Sequence, residues 1–152
     1  MINSIRKGKR YEREIANYLT KKTGLKWQRT PQSGATATSQ NLKETFKGDV
    51  FTEQEPYHSI VIECKNMAGK DISLAHLFRK KSKIHSFIQQ AEKEAGNNNW
   101  LLFIRFKGKD FITFSKEAEK TTKQLALKLI DKDKGILIFK GDKTYYIARA
   151  TK

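Results

Sequence analysis

The sequence predicts an α/β fold, a mixed central β-sheet flanked by α-helices, and three observations carry that prediction. Segment types alternate along the chain as helix, strands, helix, strands, helix and hairpin, the order of a sheet covered by helices. Trp100-Leu101-Leu102-Phe103-Ile104 is the most apolar run present and reads as a central strand. The 152 residues contain no internal repeat and no linker rich in Pro, Gly or Ser, so 1–152 is expected to be a single domain with one sizeable core.

The first helix is expected from about Ser4 to Lys22, because Tyr11, Ile15, Tyr18 and Leu19 recur at helical spacing and Gly24 follows. On a wheel of roughly 100° per residue Glu12 falls about 20° from Leu19, whereas Glu14 lies about 40° beyond Tyr18. Glu12 is therefore the acid better placed to look inward, although two ordinary solvated charges would show the same spacing. Lys26 to Thr30 can form a short strand, which Pro31 ends. From Gln32 to Thr45 small and polar residues dominate, the composition of a flexible loop, and long loops inside compact domains are usually functional or disordered. Flanked by Arg29, Lys43 and Lys47, this loop could fold over a phosphate backbone.

Two strands follow, around Gly48-Asp49-Val50-Phe51 and Ile60-Val61-Ile62-Glu63-Cys64-Lys65, joined by a turn near Glu55-Pro56. Residues two apart on a strand share a side, so Glu63 and Lys65 face together while Cys64 turns away, as a small buried hydrophobe. Buried charges are costly unless they pair or bind a metal. Glu63 and Lys65 must therefore either reach an open strand end or serve a site there. A polar connection leads to a long helix, about Leu74 to Ala95, with Leu74, Leu77, Ile84, Ile88, Ala91 and Ala95 on one face. Lys80 and Lys81 fall within about 60° of that stripe, which means either that function chose them or that the helix bends or begins later. Arg79-Lys80-Lys81-Ser82-Lys83 is also the densest basic run.

Asp110 to Phe114 reads as the neighbour of the Trp100 strand. Ser115, with Glu117 and Glu119 in the first turn, is expected to start a helix reaching about Asp131, with Ala118, Thr122, Leu125 and Leu129 inward. Ile136 to Phe139 and Tyr145 to Ala148 form a terminal hairpin around Lys140-Gly141-Asp142-Lys143. Its aromatics are assigned to the core or to a dimer interface.

Composition adds a partner class. Against 16 Asp plus Glu stand 31 Lys plus Arg, a net charge of +15 spread along the whole chain. That favours nucleic acid, whose binding gains from counterion release, though a small basic architectural protein would look the same. A single cysteine excludes an internal disulfide and a cysteine-rich zinc site. The start lacks the apolar stretch of a signal peptide and no run reaches membrane-spanning length, so a soluble cytoplasmic protein is expected.

Asp49 and Glu63 on neighbouring strands can converge on a hard cation, Mg²⁺ or Mn²⁺, with the backbone carbonyl of Cys64 as a further oxygen and Glu12 joining directly or through water. A bound metal acidifies water and stabilises charge on phosphate. Lys65 could orient that water or neutralise the transition state, and the chemistry is then phosphodiester hydrolysis. His58, His76 and His85 show no metal-ligand spacing. Ser33 lacks a nucleophile elbow, and Gly48 and Gly141 belong to no phosphate-cradling motif.

Four features stand in order: Lys7-Gly8-x-x-Tyr11-Glu12-Arg13-Glu14, Arg29-Thr30-Pro31-Gln32-Ser33-Gly34, Gly48-Asp49-Val50 and Ile62-Glu63-Cys64-Lys65. Together they resemble the PD-(D/E)XK nucleases, and within them the archaeal-type Holliday junction resolvases, including virus-encoded relatives. The resemblance covers roughly residues 6 to 104 and implies a restriction-endonuclease-like fold. It also implies a homodimer with two active sites, each nicking one strand of a four-way junction with Mg²⁺. Glu12 would be the helix-borne acid, Asp49 and Glu63 the metal ligands and Lys65 the catalytic lysine. Ser33 would contact DNA or the scissile phosphate, while Arg29 and the 32–45 loop embrace a junction arm. Lys7, Lys9, Arg10, Lys47, Arg79, Lys80, Lys81 and Lys83 would add phosphate contacts. Gly48 replaces the proline that names the superfamily. Lys83 or Lys80 stands where such nucleases often carry a glutamine, so no catalytic role passes to that position. Two other readings are a related nuclease acting on flaps, ends or duplex DNA, and a non-catalytic basic binding protein in which Asp49, Glu63 and Lys65 are a structural cluster.

Overall fold

Helix α1 (Ile2–Thr23) is followed by β1 (Gln28–Arg29), β2 (Val50–Phe51), β3 (Val61–Asn66), α2 (Lys83–Ala95), β4 (Trp100–Phe106), β5 (Lys109–Ser115), α3 (Lys120–Leu129), β6 (Ile130–Lys140) and β7 (Lys143–Ala150). The computed structural model describes residues 2–31, 47–67, 83–140 and 143–151, and only the backbone of 2–4 and 131–140. Ser33 and the rest of the 32–45 loop, Leu74, Leu77, and Arg79, Lys80 and Lys81 lie outside the described residues.

The strands make one seven-stranded sheet in the order β1-β2-β3-β4-β5-β7-β6. β3 and β4 run parallel, Glu63 opposite Leu102 and Lys65 opposite Ile104; every other described pair of strands is antiparallel, with one isolated parallel bridge between Gly48 and Ile62. The sheet is therefore mixed and flanked by helices, as the segment order predicts. β4 is its middle strand and alternates between two cores. Leu101 and Phe103 join Tyr11, Ile15 and Leu19 of α1 and Leu125 and Leu129 of α3 on one face. Leu102, Ile104 and Phe106 join Ile84, Ile88, Ala91 and Ala95 of α2 on the other. A side-chain period of two explains why a strand with helices on both sides reads as one unbroken apolar run.

Local chemistry sets the ends. Gly24 takes φ +73° after α1, and its amide donates to the Thr20 carbonyl at 2.9 Å, a glycine-favoured stop. Ser115 does not start α3. Strand pairing with Tyr145 keeps it in β5, its hydroxyl accepts from the Glu117 amide at 3.2 Å, and the helix begins at Lys120 and ends at Leu129. Of the expected inward set, Thr122, Leu125 and Leu129 are buried, whereas Ala118 precedes the helix and is only half-buried. β6 starts at Ile130, earlier than the predicted hairpin, and pairs Ile138 with Tyr145. Among the described residues no helix is long and apolar enough to cross a membrane.

Candidate active site

Asp49 owes its place to Gly48. Gly48 takes φ +84°, and a β-carbon there would stand 2.6 Å from the Ile62 carbonyl oxygen and 3.0 Å from the Ile62 amide nitrogen. Only a residue without a side chain lets this backbone press against β3. Proline, fixed near φ −65°, could not adopt it. The approach seats Asp49 between two strands: its amide donates to the Ile62 carbonyl at 2.7 Å, and its carbonyl accepts from the Thr30 amide at 2.9 Å.

The ladder between β2 and β3 ends at Val50 and Ile62, which would leave the next outward amide of β3 without a strand partner. The Asp49 side chain replaces that partner, with Oδ2 accepting from the Cys64 amide at 2.8 Å. In an extended strand the N–H and C=O of one residue point the same way. The Cys64 carbonyl therefore also points toward Asp49, as the sequence reading requires of a candidate metal ligand. Because β2 is only two residues long, Cys64 is half-buried at the margin of the α1-side core and not sealed within it. Burial first, and then the negative charge of Asp49, pushes its thiol well above the usual range.

Glu63 precedes Cys64, faces the opposite side of the strand and is buried, with 5% of its surface exposed. Burial foremost, then the negative charges of Asp49 and Glu94, raises its carboxyl to about 8 against an ordinary 4.5, while Lys65 pulls it back down. Glu63 and Asp49 also share a side-chain hydrogen bond. Lys65 extends along the same face as Glu63, half-buried, with its Nζ 5.7 Å from the centre of the Phe87 ring of α2.

Glu12 does look inward, being 9% exposed. Burial and then the charge of Asp49 raise its carboxyl, and a hydrogen bond from Arg29 lowers it. Arg29 Nε donates to Glu12 Oε2 at 2.6 Å. Arg29 thus reaches Glu12 across the site's edge, where β1 pairs it with Val50. Asp49 is the common neighbour of Glu12 and Glu63. Among the described residues no three His, Cys, Asp or Glu side chains gather closely enough to hold one ion.

Besides Arg29, the predicted DNA contacts among the described residues fall in three places. Lys7, Lys9 and Arg10 are exposed on α1, and the Asn66 side chain donates to the Lys7 carbonyl at 3.4 Å, so this basic stretch lies beside the end of β3. Lys83 is exposed at the start of α2. Lys47 is half-buried, with its Nζ 3.8 Å from where a β-carbon on Gly96 would stand, at the far end of α2. Sequence reasoning missed the group that fixes α1 to the sheet. Arg105 holds Asp110 through two hydrogen bonds of 2.9 and 3.2 Å and Glu14 at 2.6 Å, and its guanidinium covers the Tyr11 ring at 4.5 Å. Glu14 is therefore not a free surface charge. Burial alone would lower the Arg105 guanidinium, but its bonds to Asp110 and Glu14 raise it. The signal was there in Lys107-Gly108, both at positive φ, because a two-residue turn sets Arg105 opposite Asp110.

Comparison with protein families matches residues 3–148 to the family described as "Phage putative PDDEXK endonuclease". The chain is also 32% identical over 109 residues to Protein D14 of Escherichia phage T5, an alignment covering 70% of this chain and 65% of that relative. No solved structure matches.

Proposed function

The chain belongs to the phage PDDEXK endonuclease family, and from that premise we propose that it is a metal-dependent DNA endonuclease whose centre is Asp49, Glu63 and Lys65, with Glu12 beside them. The observation that carries this reading is the convergence of the Asp49 and Glu63 carboxyls on the open end of β3. Glu63, whose carboxyl is raised by burial and by the charge of Asp49, suits a hard dication beside Asp49, which would relieve both effects. Asp49 and Glu63 would hold it, with the Cys64 carbonyl as a third oxygen. Nucleases of this type use divalent metals, and for this chain we assign Mg²⁺, with Mn²⁺ able to substitute. When bound, such an ion supplies an acidified water and countercharge for a phosphate.

The chain's own groups divide the remaining work. Lys65, next to Glu63, would present its Nζ to the phosphate as negative charge develops, the electrostatic role that such side chains play in phosphoryl chemistry. Asp49 keeps the Cys64 peptide in register. Arg29 holds Glu12 at the rim, where its carboxylate can order a water. Lys7, Lys9 and Arg10 supply phosphate contacts along α1, and the net charge of +15 draws the polyanion in.

The substrate in this reading is branched DNA, a four-way junction nicked in pairs by a homodimer. It is supported by the order of motifs from Lys7 to Lys65. The test is incubation with Mg²⁺ of a labelled immobile junction beside linear duplex of the same sequence. Paired symmetric nicks in the junction alone are expected. Equal nicking of duplex, or preference for flaps or ends, removes the junction claim and keeps the nuclease. No cleavage with Mg²⁺ or Mn²⁺ leaves a binding protein.

A further inference from the structure

The face of β3 that carries Glu63 and Lys65 is the face α2 covers. Val61, two residues before Glu63, packs with Leu102, Ile104, Ile84 and Ile88 in the core beneath α2, and Lys65 continues the same side of the strand. Phe87, next to fully buried Ile88 on α2, is partly buried against that core. Its ring therefore has its place set by packing. The Lys65 ammonium lies 5.7 Å from the ring centre, within the roughly 6 Å over which a ring face attracts a cation. The charge of Lys65 also acts on Glu63, its neighbour on the same face. A flexible four-carbon side chain thus ends near both an aromatic ring and a carboxyl.

We propose that Phe87 is the positioning residue for Lys65: its ring holds the ammonium beside Glu63, so that the lysine meets the scissile phosphate already oriented. This rests on Lys65 acting in phosphodiester cleavage. Phe87 itself touches no phosphate in this account, so its loss slows the chemical step and leaves DNA affinity alone.

The variants are Phe87→Leu, which keeps an apolar side chain under α2 without a ring, and Phe87→Tyr, which keeps the ring. Two readouts are taken on the full chain. One is single-turnover nicking of branched DNA with Mg²⁺, together with the DNA Kd. The other is the NMR position of the Lys65 side-chain Cε protons without DNA, assigned by their loss in Lys65→Arg. Protons held near a ring face are displaced upfield of the other lysines. Phe87→Leu is expected to return the Lys65 protons to the common lysine position and to lower the nicking rate roughly two- to fivefold at unchanged Kd. Phe87→Tyr is expected to restore both. Lys65 protons that do not move in Phe87→Leu overturn the positioning role whatever the nicking rate does, and so does a Phe87→Tyr variant as slow as Phe87→Leu. If Lys65→Ala nicks at the wild-type rate, the catalytic reading of Lys65 falls and the positioning role falls with it. The proton shift still reports separately whether the ring contact exists.

Discussion

Replacing Glu63 by Gln removes a charge from the candidate centre while keeping shape and a hydrogen-bond donor toward Asp49, so stability and activity are expected to move in opposite directions. In the fold the Glu63 carboxyl is raised to about 8, by burial first and by Asp49 next, from an ordinary 4.5. A folded state that binds its proton more tightly than the unfolded chain is favoured while that proton stays on, so this stabilisation is complete below about pH 4.5. It drains away as pH rises from there to about 8. At about 1.4 kcal/mol for each tenfold difference in proton affinity, the full interval corresponds to roughly 4 to 5 kcal/mol, an upper figure because a partner such as Asp49 relaxes with it. Glu63→Gln should match wild type in urea unfolding near pH 4.5 and exceed it by several kcal/mol at pH 8.5 in chelator. Saturating Mg²⁺ or Mn²⁺ should stabilise wild type and narrow the gap, because an ion that binds the fold alone adds to its stability. Nicking should vanish in the variant. Parallel stability curves for the two proteins across this pH range in chelator would refute a buried acidic pair.

Three further substitutions probe the frame around that pair. Gly48→Ala places a β-carbon 2.6 Å from the Ile62 carbonyl oxygen at positive φ, and should cost about 1 to 3 kcal/mol in denaturant melts while lowering nicking about 100-fold through displacement of Asp49. Arg29→Ala leaves the buried Glu12 without its partner at 2.6 Å. It should destabilise by about 2 to 4 kcal/mol at pH 8, and by less as pH falls, because losing Arg29 raises the Glu12 carboxyl further and favours its neutral form. Lys7→Ala combined with Lys9→Ala should weaken DNA binding and reduce the slope of log K against log salt by about 2, read by fluorescence anisotropy.

Periodicity alone places Glu12 on the inner edge of α1, β4 at the heart of the sheet, and Ile84, Ile88, Ala91 and Ala95 on one buried stripe, because these patterns are local and the core rewards them. The alternation of Glu63, Cys64 and Lys65 across β3 is legible for the same reason. Long-range partners are not. The partner of Arg29 lies 17 residues back on another element, and the partner of Lys65 is a phenylalanine on the next helix. Ser115 carries a helix-start signal, yet its pairing with Tyr145 prevails, because a strand ladder outweighs one cap. Cys64 reads as a core residue from its neighbours, but the shortness of β2, invisible in sequence, leaves it at the margin. Gly48 is visible as a departure from the superfamily's proline, whereas the close approach to Ile62 that requires it appears only in three dimensions.

The central claim, that Asp49 and Glu63 form one metal-dependent nuclease centre, is tested most directly by the Mg²⁺-dependent nicking rate of Asp49→Asn on branched DNA. Asparagine keeps an oxygen for the Cys64 amide now bonded at 2.8 Å, so the fold and the DNA Kd should hold within about threefold while the rate falls at least about 100-fold. A folded Asp49→Asn protein that nicks at the wild-type rate would contradict the claim.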